Sequence, residues 1–541
     1  MSTKKTETKN NGKQFFSGVA VLAISTFIVK IIGLIYKIPI IAYLGAEGMG
    51  YFNSAYEIYS LFFVIATAGI PVAISILISE NKANNAIENI NKIFKISTWV
   101  LGIIGLVGTL VLALFNRQLA ALIHNNSAAY CLLAISPTLL MICITSAIRG
   151  YFQGNQIMMP TAISQIIEAL GKLILGLGFA ILAIKKGYSI PEAAAFAVLG
   201  ITIGVAISLL YLILCKLFHK PKYNALELST QTDSSRSIIK QLFIIAIPIT
   251  LSSTILSLTK LIDMTMILVR LNSIGYTQEV ANSIYGSYST MAVSIFNLPA
   301  TLVTAIALPL VPMLASAIEK KDKLGERTTI SSAFKMTALI AFPAGLGIAV
   351  FSKPILQLIF STQEAEITYT APLLSLLGIS VFLSSMITVT NAILQSYKML
   401  KTPIISMVVG TAMKLISAFV LIGVPEINIY GAPISTFFST LTIVAINLYF
   451  IHKSSNCLGS IFNLFAKPFI SALLSIFIGA VVYIAGMKFY PSKAIILLAI
   501  LIVMLTYVVT TLLLKTISEE EILMLPKGEK ILKALKKTKI L

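Results

Sequence analysis

The sequence predicts an all-α integral membrane protein of about fourteen transmembrane helices, arranged as two six-helix lobes plus two extra C-terminal helices. Three observations carry this expectation. Of 541 residues, 57% are hydrophobic and only 11% charged, with a mean hydropathy of +0.91. Apolar runs of about twenty residues, each long enough for a hydrocarbon core of roughly 30 Å, recur along nearly the whole chain. The chain also repeats itself, and its basic residues gather in alternate connections.

The expected spans begin near residues 16, 51, 96, 127, 161, 191, 241, 283, 336, 371, 403, 429, 467 and 493. The first leads straight into further spans and lacks a small-residue cleavage site, so it reads as a retained helix. An even number of spans returns both termini to one side. Lysines and arginines concentrate in Lys4 to Lys13, Lys82 to Lys95, Lys216 to Lys240, Lys320 to Lys335 and the C-terminal KGEKILKALKKTK. By the positive-inside rule these segments face the cytoplasm. The net charge of +20, from 41 basic and 21 acidic residues, is therefore topological and does not indicate nucleic acid.

The segment RGYFQGNQIMMPTAISQIIEALGKLI (149 to 174) returns as NAILQSYKMLKTPIISMVVGTAMKLI (391 to 416), pairing Gln153, Pro160 and Lys172 with Gln395, Pro403 and Lys414. AGIPVAI (68 to 74) answers FNLPATL (296 to 302). Six spans separate the copies, so both share one orientation. The expected organisation is an N-terminal lobe over 1–218, a cytoplasmic linker over 219–240, a C-terminal lobe over 241–453, spans 13 and 14 over 454–515, and a cytoplasmic amphipathic tail over 516–541 that lies on the anionic inner leaflet.

KIIGLIYKIPIIAYLGAEGMGYFNSAYEIY, AGIPVAIS, LIDMTMILVR and QSYKMLKTP, in that order, resemble the polysaccharide-export branch of the multidrug/oligosaccharidyl-lipid/polysaccharide (MOP) exporter superfamily. Within that branch the chain resembles the MurJ-like lipid II flippases and their stage V sporulation protein B relatives. The resemblance covers essentially the whole chain. It implies two lobes alternating about a central cavity, a groove for a prenyl tail along the last two helices, and a lipid-linked oligosaccharide substrate carried on a pyrophosphate. It also implies a multi-pass protein of the bacterial cell membrane.

Ser25 to Gly45, STFIVKIIGLIYKIPIIAYLG, is apolar except for Lys30 and Lys37. Seven steps of about 100° return the two lysines to within about 20° of one helix face. A lysine near the bilayer centre costs roughly 2.5–3.5 kcal/mol on insertion scales, so it faces protein, water or an anion. Otherwise its stem is buried while the ammonium snorkels to the interface, a reading that suits Lys37, ahead of Pro39, better than the deeper Lys30. In span 2, Asn53, Glu57 and Ser60 form a polar stripe at i, i+4 and i+7, with Glu57 a counter-charge for Lys30 should the two meet. Span 7 holds Lys260 and Asp263 at i, i+3. Because this span opens the second lobe as span 1 opens the first, the pair is expected in the same cavity.

Lys30, Lys37, Asn53, Glu57, Lys260 and Asp263 are thus the candidate substrate-binding residues. Glu168 and Lys172 at i, i+4 in span 5, with Lys414 as the repeat mate of Lys172, are candidates for either structural or coupling charges. Known members of the family carry two arginines on the first helix with an acid beside the second. Here Lys30 matches the first arginine, Tyr36 falls at the second and Lys37 at the acid, while the cavity arginine of span 8 has no counterpart in AVSIFNLPATL. This departure favours a point-charge contact over a bidentate fork.

Catalysis has no visible parts: Walker A, GxSxG and HExxH motifs are all missing from the sequence, which argues against an enzyme and calls for no cofactor. His124, His219 and His452 have no partners at metal spacing, and the four cysteines stand singly. Transport would draw on an ion gradient, and hence a coupling ion, on the membrane potential, or on consumption of the cargo. The expected function is a flippase for a prenyl-pyrophosphate-linked cell-wall precursor, with lipid II as cargo. The alternatives are a cation-coupled multidrug antiporter of the same superfamily and a flippase for another lipid-linked polysaccharide repeat. The deep charges include at least as many lysines as acids, which suits an anionic cargo.

Overall fold

Backbone in a bilayer must satisfy its own hydrogen bonds, and the long apolar runs do so as helices. The computed structural model describes residues 2–83, 86–218, 233–455, 461–489, 494–514 and 516, with no strand among them. The linker over 219–232 and the tail over 517–541 lie outside the described residues. The chain is a multi-pass membrane protein: twelve stretches among the described residues are long and apolar enough to cross a membrane. The expected fourteen are not confirmed on that measure. The first of the twelve, Ile24–Lys82, is a single run of 59 residues. Large apolar side chains point outward, among them Trp99 at 68% exposure and Phe489 at 87%.

Two compact units divide the chain at Gly286/Ser287. The first contains α1 (Ser2–Thr67), α2 (Ile70–Ala83), α3 (Ile87–Leu114), α4 (Asn116–Leu122), α5 (Ala129–Gly154), α6 (Met159–Gly171), α7 (Leu177–Lys185), α8 (Ile190–Phe218), α9 (Ser235–Ser273) and most of α10 (Gln278–Ser287). The second contains α11 (Val293–Glu319), α12 (Lys323–Val350), α13 (Ser352–Ile359), α14 (Glu364–Ser396), α15 (Lys401–Ile422), α16 (Gly431–Ser455), α17 (Ile461–Phe489) and α18 (Ala494–Leu513).

Helix α1 is two arms joined at Gly45, which adopts φ 68°, ψ 178°. That region of backbone space belongs almost wholly to glycine. The bend is sharp: Tyr36 and Phe52, which a straight helix would hold about 24 Å apart, have ring centroids 6.2 Å apart. A Cβ at Gly45 would meet no atom within 4 Å, so Gly45→Ala tests backbone strain alone. This substitution is expected to destabilise the protein by about 1–3 kcal/mol, read as a lower melting temperature in detergent. An unchanged melting temperature would show that the bend does not depend on glycine.

Beyond the bend the second arm is held by buried amides. Asn125 Nδ2 donates to Ser54 Oγ at 2.9 Å and to Asn282 Oδ1 at 2.7 Å, and Asn282 Nδ2 donates to the Glu47 carbonyl at 2.7 Å. The start of α9 is fixed in a similar way. Asn89 and Asp233 exchange two hydrogen bonds of 3.1 Å, Lys92 Nζ donates to the Asp233 carbonyl at 2.6 Å, and Ser234 caps the helix.

Between α6 and α7 the helix widens into a π turn over Lys172–Gly176. Glycine packing against α8 accounts for it. A Cβ on Gly171 would overlap Gly204, and one on Gly200 would overlap the backbone of Gly176. Small residues of this kind let membrane helices approach closely. The contact residues are five apart on one helix and four apart on the other, so the extra residue of a π turn keeps both contacts.

In the second unit a core around Leu314, Phe334, Met386, Ile393 and Ile451 ties α11, α12, α14 and α16 together. Phe351, Ile476, Ile496 and Val503 bring in α17 and α18. The repeat read in the sequence recurs as local conformation. Gln156, after α5, and Lys398, after α14, have φ of 64° and 59°. Ile157 N donates to Phe152 O at 2.9 Å, and Met399 N to Leu394 O at 3.0 Å, so both helices end in the same six-to-one turn. Breaks at Phe115 and Phe351 match as well, with φ of −103° and −101°.

Candidate functional site

The first unit carries a row of charges among its spans. Lys37, half-buried on the first arm of α1, interacts electrostatically with Glu57 on the second arm and with Lys260 on α9. Glu57 in turn interacts with Lys260, Lys37 and Asp263. The bend at Gly45 is what brings Lys37 and Glu57 within range, although twenty positions separate them. The polar stripe falls on the accessible face of its arm: Asn53, Glu57 and Ser60 are half-buried, whereas Ser54, Ala55, Ile58 and Tyr59 between them are buried.

Lys172 extends the row, interacting with both Lys37 and Glu168. Its ammonium lies 4.9 Å from the ring centroid of Tyr36, 5.4 Å from Phe52 and 5.1 Å from Tyr56, within the range of cation–π attraction. Glu168 is paired across helices with Arg149 of α5, NH2 to Oε2 at 3.0 Å, with side chains 13% and 31% exposed. Arg149 Nε also donates to Ser164 Oγ at 2.9 Å. Arg149, Lys172, Lys37 and Lys260 thus stand against Glu168, Glu57 and Asp263, four cations against three carboxylates.

Of the residues expected from sequence, Lys37, Glu57, Lys260 and Asp263 form one cluster, and Lys172 and Glu168 adjoin it. Asn53 lies one turn from Glu57. Lys30 on α1 and Lys260 on α9 both stand exposed, and Lys260 and Lys37 act on Glu57. Lys414 is half-buried on α15 of the second unit. Sequence reasoning missed Arg149 and the three rings around Lys172.

The family described as "Polysaccharide biosynthesis protein" matches residues 15–318, more than half of the chain. The chain belongs to that family. A second family, MatE, matches residues 283–420. Among similar proteins, lipid II flippase MurJ of Bacillus subtilis (strain 168) is 26% identical over 80% of this chain and 81% of its own length. Stage V sporulation protein B of the same organism is 26% identical over 78% and 80%. The solved structure of lipid II flippase MurJ in an inward closed conformation superposes with a TM-score of 0.68 at 18% identity, covering 91% of this chain and 98% of that one. The chain thus shares the fold of that solved structure.

Proposed function

We propose that this protein is a flippase that moves a prenyl-pyrophosphate-linked cell-wall precursor, lipid II foremost, from the inner to the outer leaflet by alternating access. The observation that carries the reading is the excess of cations along the row from Arg149 to Lys260. Charges inside a membrane face protein, water or ligand, and an excess of ammonium and guanidinium groups suits a pyrophosphate. Likeness to a protein named for lipid II flipping supports the choice of cargo. The two arms of α1 together with α9 would form the head-group wall, and no bond would be made or broken. Both termini would lie in the cytoplasm.

The decisive experiment is complementation in cells depleted of their lipid II flippase. Growth is expected to return. Failure despite correct insertion and accumulation would assign another lipid-linked glycan or the antiporter activity. Topology is tested separately, with the native cysteines replaced by alanine. Thr230→Cys should be shielded from an impermeant thiol reagent in intact cells, and Ala365→Cys should react. The opposite pattern would invert the direction of transport.

A further inference from the structure

Lys172 is placed with unusual care for a residue on a membrane helix. It opens the π turn, a feature frequent at functional sites. It makes no ion pair among the described residues, because the nearby Glu168 is engaged by Arg149 at 3.0 Å. In place of an ion pair its ammonium meets the faces of Tyr36, Phe52 and Tyr56 at 4.9, 5.4 and 5.1 Å. Tyr36 and Phe52 are buried, at 1% and 2% exposure, whereas Tyr56 is 38% exposed and shares the accessible face of its arm with Asn53, Glu57 and Ser60. The cage therefore has two buried walls and one exposed wall.

Lys37, a like charge, acts on Lys172. Lys37 interacts with Glu57 first and with Lys260 second, so three ammonium groups share the row with the carboxylates of Glu57 and Asp263. Like charges brought together in a low-dielectric interior repel, and an anion placed among them converts that repulsion into attraction. A cation–π cage holds an ammonium without neutralising it, whereas a carboxylate would cancel its field. The cage thus holds the Lys172 amine near Lys37 without an ion pair to a carboxylate among the described residues.

We propose, building on the flippase reading, that Lys172 is a ligand for the pyrophosphate of the cargo, stored in the Tyr36–Phe52–Tyr56 cage while the site is empty and drawn out beside Lys37 when the anion arrives. Lys37 and Lys172 then grip the diphosphate from two different helices, as point charges.

The test is binding of farnesyl pyrophosphate to the purified full-length protein in detergent, measured by calorimetry, with inorganic pyrophosphate as the second probe. Lys172→Gln should weaken farnesyl pyrophosphate at least tenfold, and Lys172→Arg should recover most of the loss. Tyr56→Leu keeps an apolar wall and removes one ring, so the ammonium has less to give up on leaving; binding should tighten two- to fivefold. A purely structural Lys172 predicts the opposite sign, with Tyr56→Leu neutral or weaker in proportion to a lower melting temperature. Full affinity in Lys172→Gln, with Lys37→Gln still weakened, would overturn this inference and leave the flippase reading standing. Wild-type protein that ignores both probes would overturn both. Inorganic pyrophosphate bound as tightly as the farnesyl compound, with the same dependence on Lys172, would uphold the ligand role and remove the lipid from the reading.

Discussion

Lys37→Ala is expected to lower flipping of lipid-linked cargo ten- to a hundredfold in reconstituted vesicles, while the protein inserts and accumulates normally. A hydrogen bond to a charged group is worth about 1.5–3 kcal/mol, and 1.4 kcal/mol is a factor of ten. Removing a cation from a membrane helix lowers insertion cost, so loss of protein is not the expected cause. Lys37→Arg should retain part of the activity, because the charge stays while reach and geometry change. Lys37→Glu should fall below alanine, since a third carboxylate would join Glu57 and Asp263 and repel the cargo. Lys30→Ala is the comparison. If Lys30 snorkels, alanine and glutamate at position 30 are tolerated about equally; if it also contacts cargo, Lys30→Glu is worse than Lys30→Ala. Near-normal flipping by Lys37→Ala, normalised to membrane protein, would end the claim that this lysine binds cargo.

Arg149→Gln should be the most damaging single change to stability. It leaves Glu168 between α5, α6 and α8 without its guanidinium; breaking a fully buried ion pair from one side costs about 3–5 kcal/mol, and this half-buried pair belongs at or below the lower end of that range. The lower end is expected because Lys172 remains in electrostatic reach of Glu168. Adding Glu168→Gln should restore most of the loss, since two amides can hydrogen-bond without stranding a charge. The measurement is a double-mutant cycle on melting temperature in detergent, and strictly additive losses would show that the two residues are not coupled.

The fold was legible because its signals are strong and local. Apolar runs announce membrane helices, and the paired segments at 149 and 391 anticipate the twin turns at Gln156 and Lys398. Lys37, Glu57, Lys260 and Asp263 were legible for a related reason, as ionisable groups are scarce in spans and stand out. Arg149 was hidden because it closes span 4 within RGYFQG, and its partner lies nineteen positions on, in another helix. The cage around Lys172 left no mark either. Tyr36, Phe52 and Tyr56 are ordinary residues for an apolar stretch, and only the bend at Gly45 makes them neighbours. The π turn depends on contact between Gly171 and Gly204 and between Gly176 and Gly200, which no single helix pattern shows.

The bend in α1 has a thermodynamic consequence. Tyr36 and Lys37 ride on one arm and Phe52, Tyr56 and Glu57 on the other, so the separation of these two groups is a function of one backbone angle. Any ligand that touches both arms narrows the range of that angle. By linkage, anything that forces the angle open must weaken the ligand by the same factor. Affinity and helix geometry are then two readings of one coordinate. A pair of spin labels, one on each arm, would follow occupancy of the site as a change in distance, with Gly45 as the joint of a molecular caliper.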